Sequence, residues 1–493
     1  MQTRLAAAFP LLLCSAALAD PMVLGPSADK PPFTVAKDTT AITSPLNADG
    51  TVDYVAAINE RVGSGVTPDQ NGWVLWVQVS GKEDLPQKTR DTMYQMAAGT
   101  TIPETGPFLQ SAAVWLSTEK QMAPNAAAAL ADKIDDLRLH LWAAKDAPEI
   151  ADYLAAQQKP LDLAVQAAMR PKWWMPFISV DGRSTFGVIL PGLSSMRQAA
   201  NDLCARATLR AAAGDFNGFL ADTTAVKRLA RHVACQATIT ALFAFVIDQA
   251  ADHAIAAAAV SGNLSASQVG QLRALIDADG LLDDLPETLD IEERWGALDM
   301  AALLATGQLF QLSAGHQFVT LFAGIDSARV DWDALLRRIN ADIDEDLRIL
   351  KIPDLDQQTA AWNARDKQFK DALPSPPPHD AAPKPGESRD AYTARITALF
   401  EGNVLPAFTR VGALRQRERL TNDLTRTLLA AAAFKARTTR WPERLEDLIP
   451  TDLPSLPRDF HNHPPAYTLT KDGPSLTASA DIPLTFGTPV VAK

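Results

Sequence analysis

"LSSMRQAANDLCARATLRAAAGDFNGFLADTTAVKRLARHV", residues 193–233, decides the fold class. An alanine-rich segment breaks at "GDFNG" (214–218) and an amphipathic segment returns through Phe219, Leu220, Val226 and Leu229. Alanine loses no side-chain entropy in a helix, whereas glycine is among the poorest helix formers. The stretch predicts two antiparallel helices, and Ala205, Ala207, Ala211 and Ala212 let helix axes approach closely. The hairpin is weakly tetratricopeptide-like, yet no second copy recurs at a fixed period. The expected fold is therefore mainly α, an irregular array of helix hairpins.

Working toward the N-terminus, "NADGTVDYVAAINERV" (47–62) predicts a turn and a helix with Val52, Val55, Ile58 and Val62 on one side and Asp49 as its cap. A calcium loop does not fit, because aligning Gly50 with the loop's glycine puts Pro45 first and Ala56 where a bidentate glutamate belongs. In "VTPDQNGWVLWVQVSG" (66–81), Thr67 and Pro68 predict a helix start. Further helices are expected over 88–98, 107–117, 124–145, 147–157 and 160–169. Toward the C-terminus, helices are expected over 264–278 with Ser265 or a neighbour as cap, over 287–307 and over 332–351. The last carries Leu335, Leu336, Ile339, Ile343, Leu347 and Leu350 as a core stripe, and its acidic run reads as a solvated face.

Residues 374–390, "PSPPPHDAAPKPGESRD", read as a flexible Pro-rich linker after an α-helical domain at 43–373. A long helix at roughly 403–438, within segment 391–448, is expected to pack back on that domain. In 449–493, "AYTLT" and "SLTASA" alternate around a turn and predict a small β-hairpin.

Residues 1–19 pair a single positive charge in "MQTR" with the apolar run "LAAAFPLLLCSAALA" and a small-x-small site before Asp20, the pattern of a secretory signal peptide. Leu13 stands before Cys14 where lipidation signals want a small residue, so lipidation is not expected. Residues 20–42 read as an irregular leader, and the expected location is periplasmic or secreted. The later apolar stretch 233–260 is interrupted by Asp248 and Asp252 and reads as a core helix rather than a membrane span. A net charge of −12 repels phosphates, so nucleic acid is not an expected partner. In an oxidising compartment Cys204 and Cys235 are a candidate disulfide, or equally two small buried thiols. A hairpin centred near Gly214 sets Cys204 opposite a residue near 225, which weighs against the bridge.

No catalytic, cofactor-binding or metal-ligating residue is nominated. In "RDFHNHPPAYTL" (458–469), His461 and His463 flank Asn462 ahead of two prolines, which reads as a turn. His232, Cys235 and His253 lack a fourth ligand. Neither a Gly-x-Ser-x-Gly elbow nor a phosphate-binding glycine loop occurs. "RPKWWMPF" (170–177) offers Trp173 and Trp174 as candidate partner-binding aromatics, or as a plug closing a helical layer. Glu293 and Arg294 would line a groove or form an ion pair.

Five stretches carry a resemblance: "NADGTVDYVAAINERVGSGVTPDQNGWVLW", "RPKWWMPF", "LCARATLRAAAGDFNGFLADTTAVKRLAR", "ERWGALDMAALLATG" and "RWPERLEDLIPTDLPSLPRDF". Together they resemble an uncharacterised group of exported, mostly helical bacterial proteins, over about 43–307 and 391–480. The segment with Trp441, Pro442, Leu445, Leu448, Ile449, Pro450, Pro457 and Asp459 is also similar to one in pseudopilin-like subunits. It departs from them in Asn462-His463, where a glycine turn is usual, and in having its long helix internal, so no pilus role is implied. The resemblance implies a helical exported protein without assigned activity. The expected function is a non-catalytic cell-envelope scaffold or protein-binding module with envelope proteins as partners. The alternative is a periplasmic hydrolase acting on peptide or glycan. Oligomeric state is not legible in this sequence.

Overall fold

In the computed structural model, the deciding stretch folds as helices Leu193–Ala212 and Phe216–Ala234. Gly214 turns the chain between them at φ 82°, and the Asp215 carboxylate accepts from the Gly218 amide at 2.9 Å to start the second helix. The structure describes residues 30–188, 190–234, 238–278, 285–311, 321–352, 354–372, 381–404, 408–459, 462–471, 473–479 and 484–487. The signal-peptide reading of 1–19, Cys235 and His461 lie outside them.

Helix Thr238–Val260 is the hub, packed against both hairpin helices, against helix Phe408–Thr438 and against the C-terminal sheet. Small residues make the approach close: Ala199, Ala205, Ala225, Ala230, Ala244, Ala251 and Ala254 are all wholly buried. By length and composition 240–260 could cross a membrane, but 78% of its apolar window is buried within the fold. Its two aspartates explain themselves there. Lys227 Nζ lies 2.8 Å from Asp248 Oδ2 and 2.7 Å from Asp252 Oδ1, and the lysine side chain is 2% exposed. A second buried charge locks the hairpin: the Arg206 guanidinium donates to both oxygens of Asp222, at 3.0 and 2.7 Å, and to Asp162 at 2.8 Å.

Several predicted helix starts shift. The first helix is Tyr54–Gly63 with Asp53 as cap, because Asp49 is held in the preceding turn by Thr51, Arg183 and Gln308. Thr67 and Pro68 open only a turn, and Asn71 caps the helix Gly72–Ser80. The expected 124–145 helix divides into Pro124–Ala131 and Lys133–Leu137. At Ala266–Ala278 the predicted cap is present, since Ser265 and Gln268 exchange side-chain and backbone bonds.

Helix Trp332–Leu350 buries its whole predicted stripe. Its acids do not all face solvent, however: Asp342 and Asp346 are 2% and 1% exposed, turned toward helices Leu355–Ala372 and Arg389–Val404. The expected 403–438 helix begins at Phe408, after the separate helix Arg389–Val404. The second half of the expected linker is docked rather than free. The Ala381 amide donates to Ala323 O, Tyr392 Oη to Ala381 O, and Arg395 to both oxygens of Glu387.

Over its described part, 30–42, the leader is irregular as expected, yet pinned: Thr34 gives Asp333 two hydrogen bonds and Arg337 Nε lies 2.7 Å from Asp38 Oδ2. The C-terminal element is a three-stranded antiparallel sheet, β1 (Ala466–Thr470), β2 (Gly473–Ala478) and β3 (Leu484–Gly487), in sequential order. The unpredicted third strand seats Phe486 on His253 of the hub, ring centroids 4.2 Å apart.

Lys227→Ala leaves two carboxylates in the core without their cation. We expect a loss of roughly 3–5 kcal/mol in stability, read by chemical denaturation. The loss should shrink near about pH 5, because burial already pushes Asp252 up to about 7 and protonation removes the unpaired charge.

Candidate functional site

The residues nominated from sequence are dispersed. Trp173 is 8% exposed and lies with its ring parallel to His232, centroids 5.4 Å apart. Trp174 is half-buried. Each indole is seated on a glycine: a Cβ at Gly72 would come within 2.7 Å of Trp173 Cε3, and one at Gly63 within 2.6 Å of Trp174 Cε2. Trp173 therefore plugs the seam between helices Gly72–Ser80 and Phe216–Ala234, with little surface left to offer a partner. Cys204 is wholly buried, and burial pushes its thiol up to about 12. With Cys235 outside the described residues, the pairing stays an expectation.

His232 Nε2 lies 3.1 Å from Ala168 O, which places it with Trp173 in the core. Asn462 takes a left-handed φ of 60°, and the Asp459 carboxylate accepts from the His463 amide at 2.9 Å, so that stretch folds as a turn. Arg294 fulfils both of its readings. It pairs with Asp290 at 2.7 Å and with Asp344 at 2.5 Å, and it lines a cleft.

Two depressions flank helix Trp332–Leu350. One is a polar cleft of about 610 Å³ beneath the leader, with Lys37, Arg294, Trp295, Arg337 and Asn340 among its walls. Its charged groups largely neutralise one another, through Arg337–Asp38 and the two Arg294 pairs.

The other is an open groove of about 500 Å³ between helices Trp332–Leu350 and Arg389–Val404. Helical spacing builds its walls: Ala334 and Arg338 stand one turn apart on the first helix, and Ala394 and Ala398 one turn apart on the second. At one end Thr393 Oγ1 accepts from the Asp331 amide at 2.9 Å, tying the helices together. Beneath the groove lies a charge cluster. Arg338 Nε donates to Glu401 Oε1 at 2.7 Å and to Asp342 Oδ2 at 3.0 Å. Arg365 donates to Asp342 Oδ1 at 2.7 Å and to Asp346 Oδ1 at 2.9 Å.

Three carboxylates thus share two guanidiniums, and the cluster is one positive charge short. Burial first, and the neighbouring Asp342 carboxyl second, push Glu401 up to about 7 against the pull of Arg338. Burial likewise pushes Asp346 up to about 6. A proton on Glu401 relieves part of this deficit where a further cation is missing.

The sequence hides this cluster, because the acidic run of 332–351 reads as one solvated face. The usable signal was the spacing Arg338, Asp342, Asp346 at i, i+4, i+8, one stripe of alternating need. Among the described residues no three of His, Cys, Asp and Glu are arranged to hold a metal ion. Comparison with models of known families, with curated proteins and with solved structures found no match to this chain.

Glu401 takes up its proton more readily in the folded than in the unfolded chain, where a glutamate titrates near 4.5. Its contribution is fully present below that value and is lost as pH rises through about 7. Glu401→Gln, a permanently neutral isostere, should flatten this part of the fall in melting temperature. A scan of melting temperature against pH for both proteins checks it.

Proposed function

We propose that this chain is a non-catalytic, exported protein of the cell envelope that holds or binds another macromolecule. The observation that carries this reading is the groove between helices Trp332–Leu350 and Arg389–Val404. It is open to solvent, with the exposed Ala334 and Ala394 facing it from its two walls, a shape that suits an extended or helical segment of a macromolecule. The buried cations around the hub and beneath the groove are spent on intramolecular pairs, a structural use of charge. The secretory pattern of residues 1–19 supports the envelope assignment.

A hydrolase acting on peptide or glycan is the second reading, and the Asp342–Glu401 pair is what favours it, because two adjoining carboxyls, one of them pushed up by burial, are the groups such acid–base chemistry uses. Arg338 weakens that reading, since its Nε already occupies an oxygen of each carboxylate.

The two readings part on a paired experiment. Purified protein is used to capture partners from a bacterial envelope extract, and separately is incubated with envelope peptides and glycans. We expect a saturable, specific partner and no substrate turnover. Turnover that disappears in Glu401→Gln would establish the hydrolase instead.

A further inference from the structure

The geometry points to a basic helical segment of a partner protein as the occupant of the groove between helices Trp332–Leu350 and Arg389–Val404, with a lysine or arginine of that segment completing the charge of the Asp342–Asp346–Glu401 cluster. This inference rests on the binding-module reading and names the chemistry of the partner.

Charge complementarity selects this occupant. The groove's wall carries Asp331, Asp390 and Glu401 against a single cation, Arg338. Asp331 also caps its helix, its Oδ1 accepting from the Ala334 amide at 3.1 Å. Asp390 is exposed at the groove's edge. Below, Asp342 and Asp346 add two carboxylates and Arg365 one guanidinium. Asp346 Oδ2 has no hydrogen-bond partner although the residue is 1% exposed. The groups facing Glu401 are Asp342 and Arg338 from the opposite helix, with Arg365 beyond Asp342. A neutral segment would leave this deficit standing, and an acidic one would deepen it.

Shape selects a helix with small side chains. Ala334 and Ala394 are exposed, so neither wall carries bulk that would hold another backbone away. Glu401, 6% exposed, forms part of the groove's lining. A long cationic side chain can lay its methylenes along the alanines and present its charge to that carboxylate. The Arg338 side chain, 46% exposed, has room to swing aside or to share Glu401 with the newcomer.

Seating a cation at Glu401 displaces the proton held there, so binding should tighten as pH rises through the range in which that proton leaves. The test uses a fluorescein-labelled, alanine-rich helical peptide with two lysines one turn apart, titrated into the purified protein and followed by anisotropy. Affinity should rise about tenfold from roughly pH 6 to roughly pH 8, the factor for displacing one proton that titrates midway. Ala394→Trp should fill the groove and weaken binding at least about tenfold, the scale of losing one well-packed contact region. Ala334→Trp repeats that test from the other wall. Glu401→Gln should weaken binding and remove its pH dependence.

Equal affinity for a peptide with norleucine in place of lysine would overturn the proposal. So would binding unchanged in both tryptophan variants, or unchanged with pH. Capture from envelope extract with the wild type and Ala394→Trp separates the two levels of inference. A partner retained equally by both sinks the groove and leaves the binding module. If neither protein retains a partner and the peptide does not bind, both readings fall.

Discussion

One lysine sets the arrangement of the helical core. Lys227 lies between Asp248 and Asp252, all three side chains buried, so a shift that separates them strands a charge in the core. A buried ion pair contributes little net stability against an apolar replacement of the same volume. What it supplies is register. Helix Phe216–Ala234 cannot slide along helix Thr238–Val260 by a turn without stranding a charge, and the alanines that let the two helices touch would by themselves tolerate such a slip. Helix Leu193–Ala212 is fixed to the same partner by the two-pronged Arg206–Asp222 contact. The rest of the chain is hung on this unit, from the C-terminal sheet through Phe486 and His253 to helix Phe408–Thr438 along the hub.

The three-helix junction around Arg365 repeats the device with a different balance. In the Arg206 cluster, Arg206 and Arg210 share the buried Asp222, and the further acids, Asp162 and Asp215, reach solvent. At the Arg365 junction three acids meet two guanidiniums. An uncompensated charge deep in a core is expensive, and the usual relief is a shifted proton affinity. Here the cluster also borders solvent, because the small residues of helix Arg389–Val404 leave an open groove above Glu401. The combination of a charge deficit and an access route separates this junction from the sealed pairs around the hub.

The polar cleft on the other side of helix Trp332–Leu350 is accessible but lacks the surplus of carboxylates. Arg294 and Arg337 are matched there by Asp290, Asp344 and Asp38, and the leader that roofs it is tied to the helix through Thr34, Asp38 and Asn340. The leader thus serves the fold, joining the N-terminal layer to the C-terminal helices, with Tyr54 Oη donating to Thr40 O as a further tie.

Local signals in the chain determined the class of the fold. Periodicity gave the helical stripe of 332–350, the Ser265–Gln268 exchange gave one helix start, and the glycines at 214 and 218 gave the hairpin, because each depends on neighbours within a turn or two. The alternation of 466–470 gave a strand, but β3 was too short to declare itself and exists because the edge of β2 and the His253 ring receive it. Everything that concerns the site was decided in three dimensions. Asp342 and Asp346 read as a wet face until helix Leu355–Ala372 brings Arg365 against them, 19 to 23 residues away. Trp173 and Trp174 read as equally able to face a partner until glycines 72 and 63 receive them. The segment from 381 reads as linker until Tyr392, Arg395 and Ala323 bind its backbone and Glu387. Composition and spacing fix which side chains need a partner; only the packing of distant helices fixes which partner each one meets, and so where a charge is left over at an accessible surface.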